Sequence, residues 1–235
     1  MKYQNEGDYM EIKEIVAHQS NYSKSRKSSI QFIVVHYTAN NGDTAEGNGN
    51  YFAQPNRNAS AHYFVDESNV IQSVKDTDTA WHCGAKSYKH PKCRNDNSIG
   101  VEMCSEKDQN GQYYINQETQ YTAIELIKVL MAKYSIPIEN VIRHYDVTGK
   151  ICPEPFVRNQ VQWLDFKQKL IEQKEESVEM IYNYIDENMP DWAKPTVQKL
   201  IDKGALKGNE KGELLLTGTM LRLFVIHDRM GLYNR

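Results

Sequence analysis

The sequence contains no long hydrophobic run, and no segment approaches the roughly 18 apolar residues that a membrane-spanning helix requires. Residues 1–20 also lack the apolar core of a signal peptide. We therefore expect a soluble globular protein without membrane insertion. On the same grounds we expect it to be made in the cytoplasm with no export signal of its own.

Cysteine is scarce, and no two of the four cysteines form a CxxC pair. Four cysteines in 235 residues are too few for a disulfide scaffold. We expect all of them to be thiols and regard one as a candidate metal ligand; they are Cys83, Cys93, Cys104 and Cys152.

Charge of one sign is also scarce, since the formal net charge is -3 and the basic residues are scattered among acidic ones. This balance gives no reason to expect nucleic-acid binding. Internal repeats and low-complexity tracts are absent from the sequence as well.

Short apolar runs rich in β-branched and aromatic residues predict a central β-sheet. The run IQFIVVHYTA (30–39) is typical of a buried strand, with His36 near its end. The segment SAHYFVDESNVIQSV (60–74) predicts two strands joined at DESN, and NSIGVEMCS (97–105) predicts another strand that carries Glu102. The sheet should therefore hold His36, His62 and Glu102.

Helical periodicity appears between and after these strands. Residues 118–134 place apolar side chains at helical spacing, VIRHYDV (141–147) predicts a strand or strand end, and residues 159–171 predict a second helix. Alternating strands and helices over about 170 residues predict an α/β fold with a central mixed sheet flanked by helices.

A polar run, EQKEES (172–177), is the best candidate for a domain boundary. We predict a first domain at 1–172, a linker at 173–177 and a small all-helical module at 178–235. Three short helices are expected in that module, with N-caps at Ser177 and Thr217 and stops at Gly204 and Gly231. Because fewer than 60 residues form a marginal core, the module should pack on the first domain or on a partner.

The stretch VIRHYDVTGKICPEP (141–155) raises the question of a metal site, because it places His144 and Cys152 eight residues apart. Together with His36 they could supply the three protein ligands of a catalytic zinc site. The eight-residue gap is not a finger spacing, so it is weak support by itself. A buried thiol and two hydrogen-bonded histidines are the plain alternative, and composition alone favours it.

Five motifs in this order, VVHYTA, SAHYFVDE, AWHCG, SIGVEMC and RHYDVTGKICPEP, resemble the type 2 N-acetylmuramoyl-L-alanine amidase family. That family includes phage endolysins and is related to the animal peptidoglycan recognition proteins. The resemblance covers roughly residues 25–172. It implies one Zn²⁺ per chain, bound by His36, His144 and Cys152, and hydrolysis of the amide that joins N-acetylmuramic acid to L-alanine in peptidoglycan.

The resemblance also implies two catalytic residues. Glu102 matches an acidic residue beside the zinc and would move protons, whereas its alternative is a salt-bridged core acid. Lys150 matches a family lysine near the metal, where its ammonium could stabilise an oxyanion, and its alternative is a solvated loop lysine.

Four further motif residues have less definite roles. At His62 the chain reads HYF where one branch of the family has a pattern resembling YHF, so either His62 or Tyr63 would face the substrate. His62 would assist proton transfer or only form a hydrogen bond. Trp81 and His82 match a motif along the substrate groove, and a packing role is equally consistent with them.

Two other functions remain open from the sequence alone. A non-catalytic peptidoglycan-binding protein would keep the fold, but such binders generally lack the cysteine ligand. A zinc peptidase that cuts the peptide stem would typically carry HxxxD, HxH or HExxH arrangements, which the sequence does not have. The missing signal peptide favours a phage or prophage endolysin of a Gram-positive host that reaches the cell wall through a holin-made hole, with a cytoplasmic recycling amidase as the alternative.

The C-terminal module resembles one S-layer homology repeat in PDWAKPTVQKLIDKGALKGNEKGELLLTGTMLRL (190–223). The positions of Trp192 and Gly204 fit, but Leu223 replaces the acidic residue usual in the repeat. The resemblance implies that the module binds a cell-wall polymer. Self-association and a docked structural extension are the alternatives.

Overall fold

The structure is a computed structural model that describes residues 2–5, 8–172 and 180–233, with side chains from residue 11 onward. The chain divides into two compact units, residues 1–172 and 173–235. The linker predicted at 173–177, which includes the predicted N-cap Ser177, lies outside the described residues. No helix in the described part is long and apolar enough to cross a membrane.

Within the described residues, the first unit is built on one large sheet and two short two-stranded antiparallel sheets. Its strands are β1 Lys2–Asn5, β2 Asp8–Glu14, β3 Tyr22–Ser23, β4 Phe32–Tyr37, β5 Tyr63–Val65, β6 Val70–Gln72, β7 Thr79–Ala80, β8 Ser98–Met103, β9 Glu106–Lys107, β10 Tyr113–Tyr114 and β11 Val141–Arg143. The seven-stranded sheet has the order β1-β2-β6-β5-β8-β4-β11, and the pairs β3–β7 and β9–β10 stand apart from it.

Helices connect and cover these strands in both units. They are α1 Ala45–Phe52, α2 Gln117–Tyr134, α3 His144–Thr148, α4 Glu154–Arg158, α5 Gln160–Ile171, α6 Lys194–Asp202 and α7 Gly218–Arg229. Short 3₁₀ turns lie at Gln19–Asn21, Asn95–Asn97 and Ile138–Asn140.

The sheet is mixed, as the sequence predicts. The four neighbours β5, β8, β4 and β11 run parallel, whereas β5–β6 and β1–β2 are antiparallel. The predicted DESN turn joins β5 to β6, where Asp66 Oδ1 accepts hydrogen bonds from the backbone of Ser68 and Asn69. The prediction of a mixed central sheet flanked by helices is therefore confirmed.

Alternation along β4 and β8 decides what each face of the sheet carries. Ile33, Val35, Val101 and Met103 join the main core with side chains from α2 and α5. Phe32 and Val34 point to the opposite face, where they form a second cluster. By the same alternation, His36 and Glu102 belong to this opposite face, away from α2 and α5.

The second unit has its own apolar core, which consists of Met189, Ala193, Val197, Leu216, Leu221 and Val225. Thr217 caps α7 by accepting a hydrogen bond from the backbone N–H of Met220, and Gly204 and Gly231 adopt positive φ. These three helix-end predictions are confirmed.

The first of the three helices predicted for this unit is wrong over its described part. Residues 180–187 form no helix; instead Tyr182 pairs with Leu216 through two backbone hydrogen bonds of 2.7 and 3.1 Å. The short apolar run around Tyr182 fits a strand as well as a helix by periodicity. The available partner backbone at Leu214–Leu216 decides between them.

Candidate metal centre and active site

Three potential ligands meet at the carboxyl ends of the central parallel strands. His36 lies near the end of β4, His144 is the first residue of α3 directly after β11, and Cys152 lies in the loop before α4. Their ligand atoms all lie within 4.8 Å of one another, and Cys152 Sγ is 3.7 Å from His36 Nδ1. All three side chains are buried.

The eight-residue spacing between His144 and Cys152 is explained by a short helix and a return loop. Helix α3 ends at Gly149, whose φ of 86° is the left-handed value that glycine adopts readily. The backbone N–H of Tyr145 donates to the carbonyl of Cys152 at 2.9 Å. The loop is therefore tied back to the start of the helix, which brings the thiol beside the imidazole.

Arg143 anchors the loop that carries Cys152, and the sequence analysis did not identify this residue. Its buried guanidinium pairs with Asp146 at 3.0 Å and donates to the carbonyl of Phe156 and to Gln160 Oε1, both at 2.9 Å. Because Arg143 joins α3 to α4 and α5, it sets the positions of the neighbouring His144 and the loop that carries Cys152. The only feature of the sequence that could have indicated this role is the position of an arginine at the end of an apolar strand.

Burial dominates the electrostatics of the three candidate ligands. Burial, with His144, His82 and Lys150 nearby, holds the pKa of His36 well below its usual range, and burial with Lys150 lowers the pKa of His144 to about 3. Burial raises the pKa of the Cys152 thiol to about 12. The two imidazoles are therefore neutral and have lone pairs to offer, while the thiol must lose its proton to bind a metal.

The three candidate ligands have the chemistry that a metal site requires. His144 Nδ1 is buried and has no hydrogen-bond partner among the described residues. An unpaired buried nitrogen is costly unless something binds it. Two imidazoles and one thiol are ligand types that suit Zn²⁺, and three protein ligands leave one position open.

Glu102 lies directly across from His36 in the β4–β8 register. Its Oε1 is 3.7 Å from His36 Nδ1, and its buried Oε2 has no hydrogen-bond partner in the described part of the chain. Burial raises the pKa of this carboxyl to about 8, with Lys150 acting in the opposite direction. Because Oε2 is buried without a hydrogen-bond partner in the described structure, Glu102 does not fit the alternative of a fully paired, salt-bridged core acid.

A cleft of about 220 Å³ opens over these groups. It brings the three candidate ligands together with Glu102, Lys150, Trp81 and His82. Its apolar wall includes Phe52 and Phe64, whose rings stack at 5.3 Å. Sequence reasoning missed both phenylalanines, although Phe64 stands inside one of the five motifs.

His62 and Tyr63 do not line this cleft, which corrects the expectation that one of them faces the substrate. His62 is fully buried, accepts a hydrogen bond from the backbone of Gly100 at 2.9 Å and contacts the Arg26 guanidinium. The hydroxyl of Tyr63 donates to Asp76 Oδ1 at 2.7 Å within the main core. Alternation along β5 turns the next residue, Phe64, toward the cleft instead.

Trp81 and His82 differ in their surroundings. Trp81 borders the cleft, half-buried, and its indole N–H donates to Ser23 Oγ at 3.0 Å. The His82 ring is mostly buried between His36 Nε2, at 3.0 Å, and Ser98 Oγ, at 3.1 Å. The remaining three cysteines, Cys83, Cys93 and Cys104, are free and buried, as predicted.

The mixed sheet and the His–His–Cys group at the carboxyl ends of its parallel strands define an α/β protein with a cleft whose residues could hold a metal ion. A family model described as N-acetylmuramoyl-L-alanine amidase matches residues 10–155. The chain belongs to that family, which confirms the resemblance seen in the sequence motifs.

Curated relatives from Bacillus agree with this membership. CwlL of Bacillus licheniformis, named an N-acetylmuramoyl-L-alanine amidase, is 37% identical over 153 residues, which cover 61% of this chain and 41% of that protein. BlyA of Bacillus subtilis strain 168, with the same activity in its name, is 31% identical over 198 residues, covering 79% of this chain and 51% of that protein. The chain thus spans about half or less of the length of these relatives.

Solved structures also match about two thirds of this chain. The structure of PlyL aligns with a TM-score of 0.56 and 31% identity over 68% of this chain and 97% of that chain. The catalytic domain of XlyA aligns with a TM-score of 0.57 and 27% identity over 68% of this chain and 99% of that chain.

Proposed function

We propose that this protein is an N-acetylmuramoyl-L-alanine amidase that hydrolyses the amide between the lactyl group of N-acetylmuramic acid and L-alanine in bacterial peptidoglycan. The observation that carries the proposal is the position of Glu102, in register with His36 and 3.7 Å from its Nδ1, beside a buried His–His–Cys group. The names of the Bacillus relatives support the choice of substrate.

His36, His144 and Cys152 would hold one Zn²⁺ per chain in this proposal. When bound, zinc would supply a Lewis acid that polarises the amide carbonyl and lowers the pKa of water from about 15.7 to about 7. The three side chains contribute an anionic thiolate and two neutral imidazoles. The buried, unpartnered His144 Nδ1 supports this assignment.

Glu102 would act first as the general base and then as the general acid of the reaction. Its unpartnered Oε2 would take a proton from the attacking water and deliver it to the nitrogen of the leaving L-alanine. A carboxyl with a raised pKa holds such a proton more firmly than an ordinary glutamate, and a bound cation would bring that pKa down again.

Lys150 would stabilise the oxyanion that develops on the carbonyl oxygen. It borders the same cleft, and its charge acts on the pKa values of His36, His144 and Glu102. The Lys150 side chain is exposed, and its ammonium would stabilise a developing negative charge once it lies beside the reacting carbonyl. Trp81 and Phe64 would contact the sugar or the first stem residues along the wall of the cleft.

We further propose that the protein acts on the cell wall as a phage or prophage endolysin, reaching the wall through a holin-made hole. The support is the name of one solved relative, a mutant endolysin from Bacillus subtilis, 27% identical with a TM-score of 0.57. A complemented lysis assay tests this step: expression inside a Gram-positive host should cause lysis only when a holin is co-expressed.

Residues 178–235 would form a module that targets the enzyme to the wall or holds two chains together. The described part has its own core and a shallow groove of about 420 Å³ lined by Tyr184, Ile185, Leu206 and Leu214 among others. Trp192 and several apolar side chains of α7 are exposed. Apolar groups left on the surface of so small a unit favour a binding role over a purely structural one.

Product analysis on purified peptidoglycan separates the three candidate functions. The amidase releases a stem peptide with a new L-alanine amino group. A zinc peptidase would produce other new amines, and a non-catalytic receptor would produce none. Either of the last two results would overturn the proposal.

A further inference from the structure

His82 connects the candidate ligand His36 to Ser98, the first residue of β8. His82 Nδ1 lies 3.0 Å from His36 Nε2, and His82 Nε2 lies 3.1 Å from Ser98 Oγ. Ser98 in turn donates its hydroxyl proton to the carbonyl of Arg94 at 2.7 Å. The three side chains thus form one chain of hydrogen bonds that ends at a backbone carbonyl.

The end of this chain fixes the direction of every bond in it. A carbonyl oxygen can only accept, so the single proton of Ser98 Oγ is committed to Arg94. Ser98 Oγ must then accept from His82, which places the His82 proton on Nε2. When the His82 ring carries this one proton, its Nδ1 is an acceptor, and the proton between the two rings then belongs to His36 Nε2.

This assignment of the proton determines the state of the other ring nitrogen of His36, Nδ1. A neutral imidazole carries one proton, so a proton on Nε2 leaves Nδ1 with a free lone pair. That nitrogen lies 3.7 Å from both Cys152 Sγ and Glu102 Oε1, on the side where the candidate ligands converge.

The His82 ring is held in place by its surroundings. The backbone N–H groups of His82 and Cys83 both donate to Asn95 Oδ1, at 3.2 and 2.8 Å. Gly100 on β8 leaves room for the ring, because a Cβ there would lie 2.6 Å from His82 Cγ. Any side chain at position 100 must displace the ring, so this strand position requires glycine for space.

We propose that His82 and Ser98 are positioning residues that lock His36 in the tautomer protonated at Nε2, so that Nδ1 is presented to the metal. This assigns His82 a role other than contact with the substrate. Partners of this kind typically change metal affinity by about 10-fold to 100-fold when they are lost. The inference rests on the proposed function, since it requires the His–His–Cys group to bind Zn²⁺.

Imidazole nitrogen NMR on the metal-free wild-type protein tests the tautomers directly. We expect both His36 and His82 to carry their proton on Nε2. A His36 ring protonated at Nδ1 would overturn the proposal whatever the variants do, and this measurement requires no mutant to fold.

Zinc affinity, measured by competition with a chelator, tests the energetic consequence. His82→Phe keeps a ring of similar size but removes the acceptor, and it should weaken zinc binding by about 10-fold to 100-fold. His82→Asn can place a side-chain oxygen near the position of Nδ1 and should recover most of that loss. Gly100→Ala, which displaces the ring without removing its nitrogens, should weaken binding as well.

The outcomes separate this inference from the proposed function. If the wild type binds one zinc ion and His82→Phe binds it equally well, the positioning role is refuted while the amidase proposal stands. If His82→Phe keeps its zinc affinity but loses affinity for soluble muramyl peptide, His82 is a substrate contact instead. A wild type that binds no zinc at all would refute the proposed function itself.

Discussion

The thiol of Cys152 is buried 3.7 Å from His36 Nδ1, and burial raises its pKa to about 12. The pKa values of His36 and His144 lie below the usual range for the same reason. At neutral pH the metal-free site therefore contains one protonated thiol and two neutral imidazoles. Of the three, only Cys152 has to change its protonation to become a ligand.

We predict that zinc binding at neutral pH releases the thiol proton of Cys152, in addition to the protons given up by Glu102 and by a zinc-bound water, and that the affinity rises as the pH is raised toward the thiol pKa. Calorimetry in buffers with different ionisation enthalpies measures the number of protons. Cys152→Ser should bind zinc far more weakly and release about one proton fewer for each zinc ion bound. Equal proton release by the wild type and by Cys152→Ser would contradict the prediction, because it would mean that the thiol does not give up its proton to the metal.

Glu102→Gln and Lys150→Ala should keep zinc and lose turnover, because both groups are proposed to act on the transition state. We expect a loss of about 10² to 10⁴ for Glu102→Gln and about 10² to 10³ for Lys150→Ala. Steady-state rates on peptidoglycan, with zinc content measured on the same samples, check both. Zinc loss in Glu102→Gln would make that residue a ligand or a support for one, and near wild-type rates would remove both residues from the mechanism.

At the scale of elements, the site depends on how α3, α4 and α5 are joined behind it. Arg143 makes this junction through Asp146, the carbonyl of Phe156 and Gln160. The aromatic rings of Phe156, Trp163 and Phe166 pack against one another in the same region.

Arg143→Met should lower the free energy of unfolding by about 1.5–3 kcal/mol, the range for hydrogen bonds to charged groups, because it leaves buried acceptors unpaired. It should also weaken zinc binding, since the loop with Cys152 loses its anchor. Denaturant unfolding of the metal-free protein measures the first effect.

Arg158→Met is the matched control for Arg143→Met. Arg158 is 67% exposed and pairs with Glu154 in α4, so its loss should cost no more than about 1 kcal/mol. Equal effects of the two substitutions on stability would show that the buried junction at Arg143 has no special role.

The sequence predicts the elements whose pattern is local. β4, β8 and the helices α2 and α5 follow from runs and periods that β-branched and apolar residues create on their own. β1 and β2 escaped prediction because their sequence is too polar to be typical of strands. The contact between His82 and His36 was not predicted either, because it depends on the orientation of the His82 ring, which the sequence pattern does not determine.

On the scale of the whole molecule, the chain has two compact units, and the proposed chemistry belongs to the first. The second unit packs its own core and ties α6 to α7 through the pair Lys199–Asp228 at 2.6 Å. It therefore contributes none of the described groups in the cleft.

Truncation after Glu172 should leave amidase activity on soluble muramyl peptides intact while lowering the lysis of whole walls or shifting the mass in solution toward a monomer. Activity assays, wall sedimentation and light scattering measure the three quantities. A truncated protein that binds walls and associates as the full chain does would make the second unit a structural extension only.

The central claim is zinc-dependent cleavage of the muramyl amide, and the most direct test follows both quantities in one titration. Metal-free protein is loaded stepwise with zinc, and the new L-alanine amino groups released from purified peptidoglycan are counted at each step. We predict that the rate of release rises in proportion to bound zinc and levels off at one ion per chain. Full activity without zinc, or new amino groups that do not belong to L-alanine, would contradict the claim.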